Sequence, residues 1–321
     1  MTKHLSTAFK GMAMGMAEVI PGVSGGTIAF ITGIYEKLLN SIKAFGPEAI
    51  RAYKEGGVSA VWIAINGTFL VTLVGGMVLG IVVGVFGITY LLDNYPPAVW
   101  AFFFGLIIAS AIYIGRQISK WSAAEIGFLV IGAIIAYGIT IISPAEGSHS
   151  LLFVFLCGVL AISALILPGI SGSFILLLLG MYTYVINDTL KPALSTFAFD
   201  KLLVMFVFAM GCLTGLMTVS RLLSWTFKHY RSVTLATLTG FMLGSLNKIW
   251  PWRNPIEWLR DDAMNIILNE EGLPKKILME ENVLPGNYDG GDPMVLMVVV
   301  MIVLGLVTVF GLEKLGGEKS S

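Results

Sequence analysis

Long uncharged runs alternate with short charged clusters along the 321 residues. The runs cover 56–92, 94–115, 126–145, 147–187, 202–220, 232–247 and 293–312. About 20 apolar residues cross a bilayer core of about 30 Å, so this pattern predicts a bundle of membrane helices. The two-residue alternation of a lipid-facing barrel is not visible. Two apolar segments are interrupted in the same way, by EVIPGVSGGTIAF at 18–30 and LILPGISGSF at 165–174.

The interruptions belong to a repeat. Moving 147 residues along the chain takes Gly11, Pro21, Gly22, Ser24, Gly25, Gly33 and Tyr35 onto Gly158, Pro168, Gly169, Ser171, Gly172, Gly180 and Tyr182. A shift of 135 takes Gly76, Gly80, Tyr95, Gly105 and Ser110 onto Gly211, Gly215, Tyr230, Gly240 and Ser245. A weaker block, shifted by 173, takes Gly132 and Gly138 onto Gly305 and Gly311. Each half then holds an interrupted segment and three spans. These are roughly 8–39, 58–91, 97–115 and 125–142, then 151–186, 201–226, 232–249 and 293–312. The expected fold is an all-α polytopic membrane protein of two inverted repeats, 1–145 and 146–321. Each repeat is a re-entrant broken-helix hairpin plus three transmembrane helices, and the second carries a polar insert at 251–292.

Lysine and arginine set the orientation. Lys3, Lys10, Lys37, Lys43, Arg51, Lys54, Arg116, Lys120, Lys228, Arg231, Lys314 and Lys319 share one side if each hairpin leaves where it entered. The loops at 92–97 and 143–150 carry neither residue. Both termini are therefore expected on the cytoplasmic side of the cytoplasmic membrane, with the insert outside. Two full passes in each interrupted segment give the same sidedness. The arms around PGVSGG are about 12–15 residues, short for a full crossing at about 1.5 Å per residue, which favours re-entrant hairpins.

Composition agrees with this picture: 56% of residues are hydrophobic, 12% are charged and mean hydropathy is +0.85. Net charge is zero, so no nucleic-acid partner is expected. The start MTKHLSTAFKGMAMGMAEVI imitates a signal peptide. The turn that follows at once, and recurs deep in the chain, argues for a permanent element instead. Cys157 and Cys212 lie in apolar runs and read as small buried hydrophobes. His4, His149 and His229 are scattered and suggest no metal site; no cofactor is expected.

The chemistry lies in the interruptions. Non-helical backbone at membrane depth is tolerated only where protein or water covers it. Pro21 lacks an amide and disfavours helix before it. Gly22, Gly25 and Gly26 permit tight turning. Ser24 is a good N-cap for an arm starting near Gly25, and Thr27 follows it. Free amides at such a start attract anions, phosphate above all. Pro168, Gly169, Ser171, Gly172 and Ser173 repeat the arrangement. The bland alternative is close helix packing on small residues. Glu18 sits three residues before Pro21 in a charge-poor stretch. Intramembrane acids are costly and usually functional. It could take a coupling proton, pair with a cation or snorkel. Its counterpart, Leu165, is apolar, so the repeat does not require it. Arg221 follows an uncharged run and could contact a phosphate; a snorkelling interfacial arginine is the plainer reading. Lys10 could approach the first hairpin. Trp250, Trp252 and Trp258 read as an interfacial belt.

GMAMGMAEVIPGVSGGTIAFITGIYEKLL, followed by LPGISGSFILLLLGMY, resembles the polyprenyl-phosphate transporter family (PopT-type, domain of unknown function 368). The resemblance covers essentially the whole chain. It implies transport of undecaprenyl phosphate, the lipid carrier of cell-wall polymers, across the membrane for reuse. Polyprenyl phosphate would then be the partner within the membrane lipids, and only the resemblance supplies the prenyl chain. Two rivals remain. A polyprenyl-diphosphate phosphatase also pairs re-entrant hairpins, but PGVSGG and PGISGS lack the arginine that would steady a transferring phosphoryl group. An ion-coupled transporter of a small soluble anion would use the same helix-start chemistry. Coupling ion, direction and oligomeric state are not written in the residues.

Overall fold

In a computed structural model of the chain, residues 2–20, 23–144, 147–190, 198–258 and 277–317 are described. Twelve α-helices run through them: α1 Thr2–Glu18, α2 Gly25–Ile31, α3 Tyr35–Lys43, α4 Pro47–Ala64, α5 Gly67–Asn94, α6 Pro96–Gly115, α7 Ala123–Ile141, α8 Leu151–Ile166, α9 Gly172–Leu178, α10 Phe199–His229, α11 Arg231–Ser245 and α12 Val295–Gly317. Local signals fix many starts. Prolines open α4 and α6, where a missing amide is harmless. Ser122 and Glu125 form a capping box on α7. Ser150 accepts from the Phe153 amide at the start of α8.

Among the described residues, four helical stretches are long and apolar enough to cross a membrane: Pro47–Asn94, Pro96–Gly115, Ala123–Ile141 and Phe199–His229. Leu151–Ile166 and Val295–Gly311 are apolar but shorter. The expected span at 232–249 differs from these. It is a 15-residue helix continued by a 3-10 turn to Ile249. Thr234, Thr237 and Thr239 return their hydroxyls to carbonyls one turn back, at 2.8–2.9 Å. Leu235, Ala236 and Leu238 pack into the core. A polar residue of this kind lowers the apolar count without costing an unpaired group.

Helices pack in four close pairs, α1 with α5, α8 with α10, α6 with α12 and α7 with α11. Each pair brings glycine against a partner's carbonyl. Gly76 and Gly80 face the Ala8 and Met12 oxygens, and Gly211 and Gly215 face those of Phe155 and Val159. Gly105 faces Ile302 and Gly240 faces Leu129. A Cβ at any of these positions would collide with backbone, so small residues let the axes approach. Tyr95 and Tyr230 join successive helices with nearly the same backbone angles, φ −139° and ψ 49° against φ −138° and ψ 48°. The main core gathers residues of α2, α3, α6, α10 and α11. It includes Ile20, Val23, Leu39, Ile107, Leu238 and Met242.

The insert departs from the all-helical expectation. Arg253–Trp258 (β1) pairs antiparallel with Ile277–Asn282 (β2). Trp250 and Trp252, expected in an interfacial belt, serve as anchors for this hairpin. Their indole N–H groups donate to the Val283 and Pro293 carbonyls, both at 2.8 Å. The Trp258 side chain lies outside the described residues.

Candidate functional site

The two interrupted segments meet tip to tip. Ser24 is extended, at φ −114°, and caps α2, its Oγ accepting from the Gly26 amide at 3.1 Å. The same hydroxyl lies 3.1 Å from the Leu165 carbonyl and 3.2 Å from that of Leu167, to which it can donate. Thr27 Oγ1 accepts from the Gly169 amide at 3.1 Å. Tyr35 donates from its phenol to the Ile166 carbonyl at 3.2 Å. A Cβ on Gly26 would stand 2.5 Å from that same carbonyl. The end of α8 leaves carbonyls without helical partners, and the first tip supplies donors to them. Gly169 takes φ +86° against the α11 backbone at Met242, a conformation that suits glycine.

The tips are alike in sequence but not in bonding. Ser171 stands at the start of α9 without a side-chain cap bond. Its hydroxyl pairs instead with that of Ser173, 2.9 Å away. Ser24, Thr27 and Ser171 are all buried. Glu18, at the end of α1, reaches across the first turn, and its Oε1 accepts from the Gly25 amide at 2.6 Å. The helix start that the sequence offers to an anion thus already holds a carboxylate. At the other end of α2, Lys10 donates to the Thr32 carbonyl at 2.7 Å, opposite in place and sign to Glu18.

Beside the tips lies a cavity of about 380 Å³ lined by Glu18, Val19, Ile81, Val85, Ser173, Phe174, Leu177 and Tyr182. Its polar groups come from both interrupted segments, and its apolar wall from α5 and α9. The structure therefore brings together Glu18, Ser24, Gly25, Gly26, Thr27, Pro168, Gly169, Ser171, Gly172 and Ser173. Pro21 and Gly22 lie outside the described residues. Arg221 is elsewhere: it is exposed on α10, with its guanidinium against Gly46. Tyr35, Phe174 and Tyr182 were not among the expected site residues. The tyrosines did carry a signal, since they are matched by the repeat.

Comparison with known proteins adds the family. Residues 14–267 match the VCA0040-like family, described as undecaprenyl phosphate translocase-like. A polyprenyl-phosphate transporter of Vibrio cholerae serotype O1 is 43% identical over 314 residues, covering 97% of this chain and 96% of the relative. A polyprenyl-phosphate transporter of Staphylococcus aureus is 31% identical over 259 residues, 75% of this chain and 84% of the relative. No solved structure matches the chain. With most of its length matched and its helices long and apolar enough to cross a bilayer, this membrane protein belongs to the undecaprenyl phosphate translocase-like family.

Proposed function

We propose that the chain moves a polyprenyl phosphate, undecaprenyl phosphate in particular, between the leaflets of the cytoplasmic membrane, returning the carrier for reuse in envelope synthesis. The observation that carries this reading is the cavity of about 380 Å³. Its lining combines the polar Glu18, Ser173 and Tyr182 with the apolar Val19, Ile81, Val85, Phe174 and Leu177. A phosphate on a prenyl chain has the same division into a polar end and an apolar length. The names of the relatives agree with that substrate.

In this reading the halves 1–145 and 146–321 are inverted repeats around the tips. The recurring glycine contacts and the matched angles at Tyr95 and Tyr230 support it. So do α2 and α9, each seven residues, about 10 Å by helical rise and too short to cross a bilayer. Each interrupted segment then enters and leaves on one side, with both termini cytoplasmic and the insert outside. The headgroup binds through the hydroxyls of Ser171 and Ser173 and the amides that follow Ser24 and Ser171. Pro21, Gly22, Pro168 and Gly169 shape the turns. Glu18 holds the Gly25 amide while the site is empty and gives it up when phosphate arrives. A proton or a cation on Glu18 is the natural coupling partner, since an incoming phosphate would repel the bare carboxylate. Arg221, remote from the tips, serves the cytoplasmic entrance.

The test is a leaflet-exposure assay in liposomes holding labelled undecaprenyl phosphate, read with an impermeant reagent. Wild type should change the exposed fraction. Ser171→Ala/Ser173→Ala should slow it at least tenfold, as expected for lost hydrogen bonds to a charged group. Glu18→Gln should change its dependence on pH. A folded wild-type protein that leaves the lipid where it was would sink the reading.

A further inference from the structure

A second cavity, of about 210 Å³, lies between the insert and α9. Its wall includes Lys248, Arg253, Glu280, Asn247 and Phe174. Phe174 also lines the cavity that holds Glu18 and Ser173, so one buried residue borders both spaces. Lys248 Nζ sits 4.9 Å from the centre of the Phe174 ring.

Among the described residues, the charges in this wall do not balance. Lys248 and Arg253 both turn to a single carboxylate oxygen, Glu280 Oε2, at 3.4 Å and 2.8 Å. Side-chain exposure is 18% for Lys248, 6% for Arg253 and 18% for Glu280. Glu281 reaches the cavity edge as well, but it is exposed, so water screens it. Among the described residues, two largely buried cations thus share one largely buried anion, and an uncompensated charge in such a place is costly. The Arg253 Nε also has no hydrogen-bond partner among the described residues, and a buried donor is rarely left so.

The cations are held where they are. Arg253 Nη1 donates to the Lys248 carbonyl at 2.7 Å, and its guanidinium stacks 4.1 Å from the Trp100 ring centre. Asn282 donates to the Asn247 carbonyl and side-chain oxygen at 2.9 and 2.8 Å, tying β2 to the 3-10 turn that follows α11. A rigid pocket with a surplus positive charge and a spare buried donor suits a small oxyanion.

We propose that this cavity is a phosphate-monoester site, with Lys248 and Arg253 as the binding cations and Phe174 as the partition from the Glu18–Ser173 cavity. The insert then has a purpose, because β1 and β2 supply Arg253 and Glu280. Its role as a waiting station for the lipid headgroup rests on the translocase reading; its affinity for phosphate does not. The two sources of that chemistry, a prenyl phosphate and free phosphate, are separated by the probes below.

The experiment uses the full chain in nanodiscs and calorimetric titration with inorganic phosphate and with farnesyl phosphate. Ser171→Ala/Ser173→Ala serves as the background, so that residual binding reports the outer cavity. In that background Lys248→Gln should weaken binding about tenfold, the usual size for one charged hydrogen-bond partner. Lys248→Arg should restore most of it, at an unchanged melting temperature. Tighter binding of farnesyl phosphate than of inorganic phosphate identifies the lipid headgroup, and equal affinity identifies free phosphate. Affinity unchanged in Lys248→Gln, or lost equally in Lys248→Arg, overturns the site. If wild type moves no lipid in liposomes yet binds phosphate in a Lys248-dependent way, the translocase reading falls and the site stands. If it moves lipid and Lys248→Gln leaves phosphate binding unchanged in the Ser171→Ala/Ser173→Ala background, the site falls alone.

Discussion

Ser24 and Ser171 are the same residue in the same motif, yet the fold uses them differently. Ser24 caps the Gly26 amide and reaches two carbonyls of the other segment. Ser171 has no cap bond and faces Ser173. Replacing Ser24 removes a cap and leaves a buried amide without its partner, which costs about 1–2 kcal/mol. Replacing Ser171 removes only a hydroxyl pair. Ser24→Ala should therefore lower stability in detergent clearly more than Ser171→Ala does, as read by thermal unfolding. Ser171→Ala should act mainly on lipid movement. Equal losses of stability would mean that the tips are bonded alike in the working protein. The sequence marked both serines because Pro-Gly-x-Ser-Gly is a local pattern. It was silent on their difference, because that depends on Leu165 and Leu167, more than 140 positions from Ser24.

Among elements, the helices were largely legible and the insert was not. Apolar runs longer than a bilayer is thick announce α5, α6, α7 and α10 by composition alone. The strands Arg253–Trp258 and Ile277–Asn282 carry a proline, charges and asparagines in place of a clean alternation. Their pairing is secured from outside, by the indoles of Trp250 and Trp252 and by Asn282. Arg221 was legible as a charge next to a span but not as to its neighbours, and it lies by Gly46 rather than at the tips. Helix contact explains part of the glycine. Gly80 in α5 lies against the Met12 carbonyl, whereas Gly87, two turns further, has no neighbour within 4 Å of its would-be Cβ. Gly80→Leu should force α1 from α5 and lower the melting temperature by several degrees, on the scale of an overpacked core at about 1–3 kcal/mol. Gly87→Leu should leave it unchanged or slightly raised, since leucine is the better helix former. A like response of the two variants would mean that α1 and α5 are not in contact as described.

On the scale of the whole molecule, the pairing of helices crosses the midpoint of the chain. The pairs α1–α5 and α8–α10 lie within one half each. The pairs α6–α12 and α7–α11 join the first half to the second, as do the bonds from Ser24, Thr27 and Tyr35 to residues 165–169. Neither half can close its own core, because the glycine faces of α6 and α7 need carbonyls from α12 and α11. The link between the halves, by contrast, runs through exposed residues such as Ser148 and Ser150. A cut beside them leaves every helix whole, and the separated pieces keep the interhelical contacts they need from each other. Residues 1–145 and 146–321, made together as two chains, should therefore assemble in the membrane, co-purify through a tag on either one and move lipid at a rate near that of the intact protein. Each piece made alone should aggregate or be degraded, since it would expose the small-residue faces that its partner covers. Independent folding of either piece would instead mark two self-sufficient domains, and the tips would then meet by docking rather than through a shared core.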